Sequence, residues 1–155
     1  MSANKPNQLE IHRADSDVQI HACYDLVALL RPSVVRSEFV ETVRWMYEYD
    51  SYSLIYGIFE GEIVVVCGFR QCTTLAGGSV LRVEELVTAE DQRRNGHASA
   101  VLDHLVDEAD RLSVSSVEVL VDRGAAEVGN LFSARGFESA GAYLVRDIDA
   151  APGVA

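Results

Sequence analysis

The segment 83–111 constrains the fold of this chain more than any other. Residues 81–88 alternate in period two, which is typical of an extended strand. From Ala98 to Ala109, apolar residues recur at three- and four-residue spacing, as on one face of a helix. A charged turn over residues 92–98 joins the two patterns. The segment therefore predicts a strand, a tight turn and a long helix.

The turn itself has the features of an anion-binding site. The first N–H groups of a helix lack intrahelical partners, and its N-terminus has a partial positive charge, so it attracts phosphate. Gly96 would let a ligand approach the backbone closely because it has no Cβ. Arg93 and Arg94 add positive charge. We therefore expect the turn to bind a phosphate group.

Two motifs resemble those of the GCN5-related N-acetyltransferase (GNAT) superfamily. Arg93-x-x-Gly96-x-Ala98 resembles the family's R/Q-x-x-G-x-G/A motif, and the segment 130–137, which ends in Gly-Phe, resembles its second signature. The resemblance covers roughly residues 8–148. It implies a single GNAT domain over 8–148. The polar segment 1–7 is expected to be a flexible N-terminus and 149–155 a disordered tail.

The pattern of elements predicts an α+β fold with α/β/α layers. The resemblance adds the GNAT fold: a mixed, mostly antiparallel central sheet of about six or seven strands, with a V-shaped splay between two parallel strands. The expected strands are 9–14, 52–60, 62–72, 79–88, 116–121 and one or more within 137–147 that include residues 143–145. The expected helices are 18–30, 36–49, the long helix and 125–135, with N-cap candidates at Asp15 and Ser16.

The resemblance implies acetyl-CoA as acyl donor and assigns its contacts. The strand backbone at Leu86, Val87 and Thr88 is expected to bind the pantetheine arm. The expected pyrophosphate site comprises Arg93, Arg94, Asn95, Gly96, His97, Ala98 and Ser99, mainly through backbone amides, and the side chain of His97 is expected to be exposed. Asn130 is expected to replace the family's asparagine, whose position falls near Ala126.

The catalytic residues also follow from the resemblance. Glu84 lies where several relatives have their general base, and Glu85 is the second choice. Strict alternation would place these two side chains on opposite faces, so that only one faces the cleft. The family's general-acid tyrosine is replaced by Phe132, which has no proton to donate, and Tyr143 is a candidate substitute.

Composition restricts the partners. The net charge of −11 disfavours nucleic acid, which requires a cationic footprint, and mildly favours a cationic substrate. No apolar run approaches the length of a membrane span, and the N-terminus has no signal-peptide core. Three cysteines without metal-ligand spacing predict free thiols in a reducing cytosol and no metal. We therefore expect a cytoplasmic protein, and by analogy with relatives a homodimer.

The leading functional hypothesis is direct transfer of an acetyl or small acyl group to a primary amine of a small molecule, in a ternary complex. The aromatic residues of the second helix and the loop after it would line the amine site: Trp45, Tyr47, Tyr49 and Tyr52. Two alternatives stay open. One is a degenerate GNAT domain that binds acyl-CoA or a protein with little turnover, suggested by Phe132. The other is a protein lysine or N-terminal acetyltransferase.

Overall fold

The computed structural model describes residues 8–121 and 126–148, and for 126–129 it describes the backbone alone. The chain forms two compact units, one ending at Leu120 and the other beginning at Val121. The strands of the first unit are β1 Glu10–Arg13, β2 Tyr52–Phe59, β3 Glu62–Thr74, β4 Gly78–Thr88 and β5 Ser116–Val119. Its α-helices are α1 Asp17–Ala22, α2 Tyr24–Leu30, α3 Arg36–Tyr49 and α4 His97–Arg111. The second unit contains α5 Ala126–Ala134.

The strands form one mixed sheet in the order β1-β2-β3-β4-β5. The first three pairings are antiparallel, whereas β4 and β5 pair in parallel through the connecting helix α4. The predicted α+β class and the pair of parallel strands are therefore confirmed. The β2–β3 hairpin turns at Glu60 and Gly61, both with positive φ (51° and 82°), the geometry of a tight two-residue turn.

The predicted first helix is divided in two. Ser16 caps α1 with a capping box, in which its hydroxyl accepts from the Gln19 amide and the Gln19 side chain accepts from the Ser16 amide. The helix then ends at Cys23, and α2 starts at the next residue. Of the two N-cap candidates, Ser16 is the one that caps, and the short α1–α2 pair replaces one continuous helix.

Each face of the sheet has its own apolar core. On one face, Leu54, Val66 and Val87 pack with residues of α1, α2 and α3, including Ile20 and Phe39. A second core holds Ile55, Cys67 and Val83 together with Val101 and Leu105 of α4. Complete burial of an aliphatic side chain of this size contributes about 1.5–3 kcal/mol, so the two helical layers fix the sheet from both sides.

A β-bulge interrupts the register between β3 and β4. Gly68 is paired with Glu85 and the next residue, Phe69, is paired with Val83, so Glu84 is the extra residue. A bulge shifts the alternation of side chains by one position. The prediction that Glu84 and Glu85 point to opposite faces is therefore wrong. Both lie on the face that α1, α2 and α3 cover, because the strict period-two rule fails at the bulge.

The second unit differs from the prediction at its end. Helix α5 is followed by Gly136 at φ 82°, and Phe132 packs edge-to-face against Phe137. The segment 137–147 contains no strand, and Tyr143, Leu144 and Val145 are all exposed. The strand predicted at 143–145 is therefore wrong, and the described sheet has five strands. A β-strand is stable only where a neighbouring strand forms hydrogen bonds with it. The alternating pattern of residues 143–145 favours an extended backbone but does not provide a strand to pair with. The predicted segments 1–7 and 149–155 lie outside the described residues.

Candidate active site

The parallel strands β4 and β5 pair over only part of β4. Their register begins at Val80 opposite Ser116 and ends at Val83 opposite Val119, with a last hydrogen bond from the Leu120 amide to the Val83 carbonyl (3.1 Å). Beyond this point β4 continues through Glu84–Thr88. Within the described residues, this stretch has a strand neighbour on the β3 side alone. The opening next to it is the place where an extended ligand can add to the sheet.

Glu84 is held by an arginine of the neighbouring strand. Nη2 of Arg70 donates to Oε2 of Glu84 at 2.9 Å, and Nε lies 2.6 Å from Oε1 in an ion pair that lacks hydrogen-bond alignment. Asp50 lies 3.5 Å from the same guanidinium. These carboxylates raise the pKa of Arg70, first through the hydrogen bond with Glu84. Arg70 therefore engages both oxygens of Glu84.

Glu85 has a different set of neighbours. Its Oε2 accepts a hydrogen bond of 2.7 Å from the hydroxyl of Tyr52, and its Oε1 lies 3.5 Å from Nε of Arg31. Burial raises the pKa of Glu85, and the Glu84 charge raises it further, whereas Tyr52 and Arg31 lower it. Arg31 also donates to the Glu84 carbonyl at 2.9 Å, so it joins the α2–α3 loop to β4 at the bulge. A half-buried carboxyl with a raised pKa is a stronger base than a fully solvated one.

The turn before α4 provides a backbone cradle. Arg94 and Gly96 both have left-handed φ values (66° and 80°), and Gly96 is the N-cap of α4, which no side chain caps. The first amides of the helix therefore point out of the turn without a side-chain acceptor. Nε of Arg93 donates to the Thr88 carbonyl at 3.5 Å, a long contact that connects the turn to the end of β4.

The expectation that the His97 side chain is exposed is wrong. It is 5% exposed and packs on Phe59, with a ring centroid distance of 4.9 Å. Its Nε2 lies 3.4 Å from Oε1 of Gln92, and burial lowers the pKa of the imidazole. The side chain therefore anchors the turn against β2, because a neutral imidazole can pack in an apolar environment where a charged one cannot.

The family follows from a comparison of the sequence with family models. Residues 20–137 match the model described as the acetyltransferase (GNAT) family. The chain belongs to this family. The resemblance inferred from the motifs is thereby confirmed. A comparison with curated protein sequences found no significant match.

Solved structures support the GNAT fold at low sequence identity. A ribosomal-protein-alanine N-acetyltransferase from Brucella melitensis biovar Abortus 2308 has a TM-score of 0.76 and 17% identity, covering 90% of this chain and 99% of that one. Glucosamine-6-phosphate N-acetyltransferase from Arabidopsis thaliana has a TM-score of 0.73 and 16% identity, covering 92% and 99%. An aminoglycoside N-acetyltransferase in complex with CoA has a TM-score of 0.77 and 10% identity, covering 94% and 97%.

The aromatic residues predicted to line an amine site are dispersed in this GNAT domain. The rings of Trp45 and Tyr49 contact each other at the surface of α3 in a tilted arrangement (centroids 5.2 Å apart, 41° between planes), and each residue is more than half exposed. The Tyr47 hydroxyl donates to the Ala14 carbonyl at 2.6 Å, which is a structural contact. Tyr52 alone reaches the polar network at the bulge. The four residues therefore do not form one aromatic wall.

Two other predicted site residues, Asn130 and Tyr143, belong to the second unit, as does Phe132. Asn130 is exposed, Tyr143 is 70% exposed, and Phe132 is 7% exposed. The segment 122–125 and the side chains of Ala126 and Gly129 lie outside the described residues. Over residues 8–121 and 126–148, the structure contains no helix long and apolar enough to cross a membrane and no group of three potential metal ligands.

Sequence reasoning missed several members of the polar network: Arg31, Asp50, Gly68 and Arg70. One signal was present in the sequence. An isolated glycine within an apolar strand, here Gly68, indicates a bulge or a close approach of another group. The arginines gave no local signal, since their partners are 14 or more positions away.

Proposed function

We propose that the protein is an acyl-CoA-dependent N-acyltransferase that transfers an acetyl or small acyl group to a primary amine. The observation that carries the proposal is the carboxyl of Glu85, half-buried at the bulge of β4, directly beyond the last pairing with β5. A base at this position lies next to the opening between the parallel strands. The CoA in the related aminoglycoside acetyltransferase structure supports acyl-CoA as donor.

The reaction then requires a single displacement. Glu85 removes a proton from the acceptor ammonium, directly or through water, because only the neutral amine has a free electron pair. The amine nitrogen attacks the thioester carbonyl, the C–N bond forms, and the C–S bond breaks as CoA leaves as thiolate. Holding donor and acceptor together supplies much of the rate. The nitrogen releases its second surplus proton to water as the amide forms, and the leaving thiolate takes up a proton from water.

Glu85 is a better candidate for the base than Glu84. Both oxygens of Glu84 are engaged by Arg70, so its charge is compensated within the fold. One oxygen of Glu85 has a long contact of 3.5 Å with Arg31 and retains capacity to accept a proton. We therefore reverse the order of preference that the motif spacing gave.

The acyl donor would bind along β4 and the turn. The backbone of Leu86, Val87 and Thr88 belongs to the stretch of β4 that pairs with β3 but has no described strand on its other side, which suits the amides of a pantetheine arm. The backbone of residues 94–99 surrounds the N-terminus of α4, and this suits a pyrophosphate. Arg93 and Arg94 supply the positive charge.

The test combines calorimetry with a thiol-release assay on a panel of amines. The wild type should bind CoA and acetyl-CoA, and release thiol with at least one amine. Glu85→Gln should lower kcat by about a hundredfold or more while CoA affinity is unchanged. Glu84→Gln, which removes the adjacent carboxylate, is the matched control and should lower kcat about tenfold or less. Equal losses in both variants would contradict the assignment of the base.

One observation favours a second candidate, a GNAT domain that binds acyl-CoA with little turnover. Phe132 takes the position of the family's general acid and is packed against Phe137, so it donates no proton. The same assay distinguishes the two candidates. Binding of acetyl-CoA without thiol release across small amines, peptides with a free N-terminus and lysine peptides would support the binding protein. Release with peptides alone would support a protein acetyltransferase.

A further inference from the structure

The hydroxyl of Tyr52 spans two strands to reach Glu85. Tyr52 begins β2 and is paired with Arg70 of β3, while its hydroxyl donates to Glu85 of β4 at 2.7 Å. The path crosses Gly68, which is paired with Glu85. A Cβ at Gly68 would lie 1.8 Å from the Tyr52 hydroxyl and 2.4 Å from Oε2 of Glu85. The hydrogen bond therefore exists only because this position in β3 has no side chain.

The surroundings hold the Tyr52 ring in one orientation. Tyr52 is 5% exposed, and its ring lies against the ring of Tyr47, with centroids 6.4 Å apart. The Tyr47 hydroxyl is itself fixed by its bond to Ala14, and the Arg70 guanidinium lies 5.9 Å from the centroid of the Tyr52 ring. A donor fixed in this way loses little conformational entropy when it binds a carboxylate, which makes it effective in orienting that group.

The charged and titratable groups near Glu85 come from four places. Tyr52 faces it from β2, Glu84 lies beside it on its own strand and Arg31 reaches it from the end of α2, while Cys67 of β3 is close by on the opposite face of the sheet. Burial raises the pKa of Cys67, so this thiol is neutral, and burial together with the Glu85 charge also raises the pKa of Tyr52. The Tyr52 hydroxyl therefore keeps its proton at neutral and mildly alkaline pH and acts as a hydrogen-bond donor. Its hydrogen bond favours the ionised form of Glu85. Arg70 faces Glu84.

We propose that Tyr52 is a positioning residue for the base, which fixes Oε2 of Glu85 and stabilises its proton-accepting form through the space that Gly68 leaves. Nothing in the motif pattern assigns a role to Tyr52 beyond lining. The inference rests on the proposed function insofar as Glu85 is the base. Tyr52 would not touch either substrate, so its effect should appear in the pH dependence of the reaction.

The kinetic test compares Tyr52→Phe with Tyr56→Phe. Phenylalanine keeps the ring and removes the hydroxyl, and Tyr56 is a matched control because it is also buried in the same core. In Tyr52→Phe the acid limb of the kcat/KM profile should move to higher pH, so that kcat/KM on this limb is about tenfold below wild type. At the alkaline plateau, kcat/KM of Tyr52→Phe and kcat/KM of the wild type should agree within about twofold. Tyr56→Phe should leave the profile in place. A uniform fall at every pH, or no change, would overturn the proposal.

A measurement without turnover separates this inference from the proposed function. The Glu85 carboxyl can be titrated by carbon-13 NMR in the protein without substrate, with Glu85→Gln to assign the signal. The apparent pKa of Glu85 should be higher in Tyr52→Phe than in wild type and unchanged in Tyr56→Phe. If the wild type releases no thiol but the titration shifts, the proposed function fails and the Tyr52–Glu85 coupling stands. An unshifted titration overturns the coupling, whatever the activity.

Discussion

The bulge network on β4 and the turn before α4 lie on the same strand–turn–helix segment but are built differently. The bulge network consists of side chains from β2, β3, β4 and the α2–α3 loop, and its carboxylates are paired with Arg31, Arg70 and Tyr52. The turn has exposed cations, two left-handed residues and helix amides that no side chain caps. One region acts through packed side chains and the other through backbone shape.

This difference has consequences for how each region tolerates change. In a packed network, removal of one side chain leaves its partners without a hydrogen bond or counter-charge. An unpaired polar group in a low dielectric costs more free energy than the pair contributes, so the loss of stability is large. A backbone cradle depends on φ and ψ, so most side-chain changes in it matter little, whereas a change of backbone conformation matters greatly. Substitutions should therefore have large effects on stability at the bulge and selective effects on binding at the turn.

The largest effect is expected for Gly68→Ala. A methyl group 1.8 Å from the Tyr52 hydroxyl and 2.4 Å from Oε2 of Glu85 must displace one of these side chains, and Tyr52 is buried. Overpacking together with a broken charged hydrogen bond should lower the free energy of unfolding by about 3 kcal/mol or more, measured by urea denaturation. Gly141→Ala, where no atom lies within 4 Å of the added Cβ, should change it by less than about 0.5 kcal/mol. Equal stability of the two variants would show that the network is not tightly packed.

The same contrast explains which features could be predicted from the sequence. The turn is local, because its cations, glycine and helix start lie within a few positions, and the motif found all of them. The strand–turn–helix order and helix α3 were also predictable, since each depends on periodicity within one segment. The hairpin at Glu60-Gly61 was predictable for the same reason.

The bulge network was not predictable in this way. Glu84 departs from the period-two alternation of β4 because it has no partner residue in β3. The register between two strands depends on both segments, so one segment alone does not predict it. The partners Arg31 and Arg70 lie far from Glu84 and Glu85 in sequence, and nothing local connects them. The strand that was wrongly predicted at 143–145 failed for a different reason. A local pattern was present there, but the strand lacked a pairing neighbour.

The second prediction tests whether the Arg70–Glu84 pair is part of a buried network. Arg70→Met leaves Glu84 without its compensating cation at a side-chain exposure of 19%, so the free energy of unfolding should fall by about 2 kcal/mol. Adding Glu84→Met should restore most of the loss, because the double variant buries no unpaired charge. The exposed pair Arg44–Asp17 is the control, and Arg44→Met should have little effect on the denaturation midpoint. Additive losses in the Arg70/Glu84 cycle would contradict the coupling.

The third prediction concerns the backbone of the turn. Gly96→Ala adds a Cβ at φ 80° with no atom within 4 Å, so the left-handed strain should cost only about 1–2 kcal/mol of stability. Gly61→Ala has the same geometry, with φ 82° and open space, and should cost a similar amount. In calorimetric titration with CoA, Gly96→Ala should weaken binding by about tenfold, whereas Gly61→Ala should bind as wild type. Equal CoA affinity in both variants would show that the phosphate of CoA does not bind at this turn.

The smallest expected effect is a pH-dependent difference in thermal stability. The folded-state pKa of Glu85 is raised above its ordinary value of 4.5, chiefly by burial. An acid with a raised pKa contributes stability below pH 4.5, and this contribution is lost as pH rises through the folded-state value. Glu85→Gln mimics the neutral acid at every pH, so its Tm relative to wild type should increase from acidic to alkaline pH. Glu41→Gln, on the exposed surface of α3, is the control for removal of a carboxylate outside the bulge. A Tm difference for Glu85→Gln that falls with rising pH would mean that Tyr52 and Arg31 outweigh burial. The bulge would then stabilise a carboxylate in the way that the turn is proposed to stabilise a phosphate.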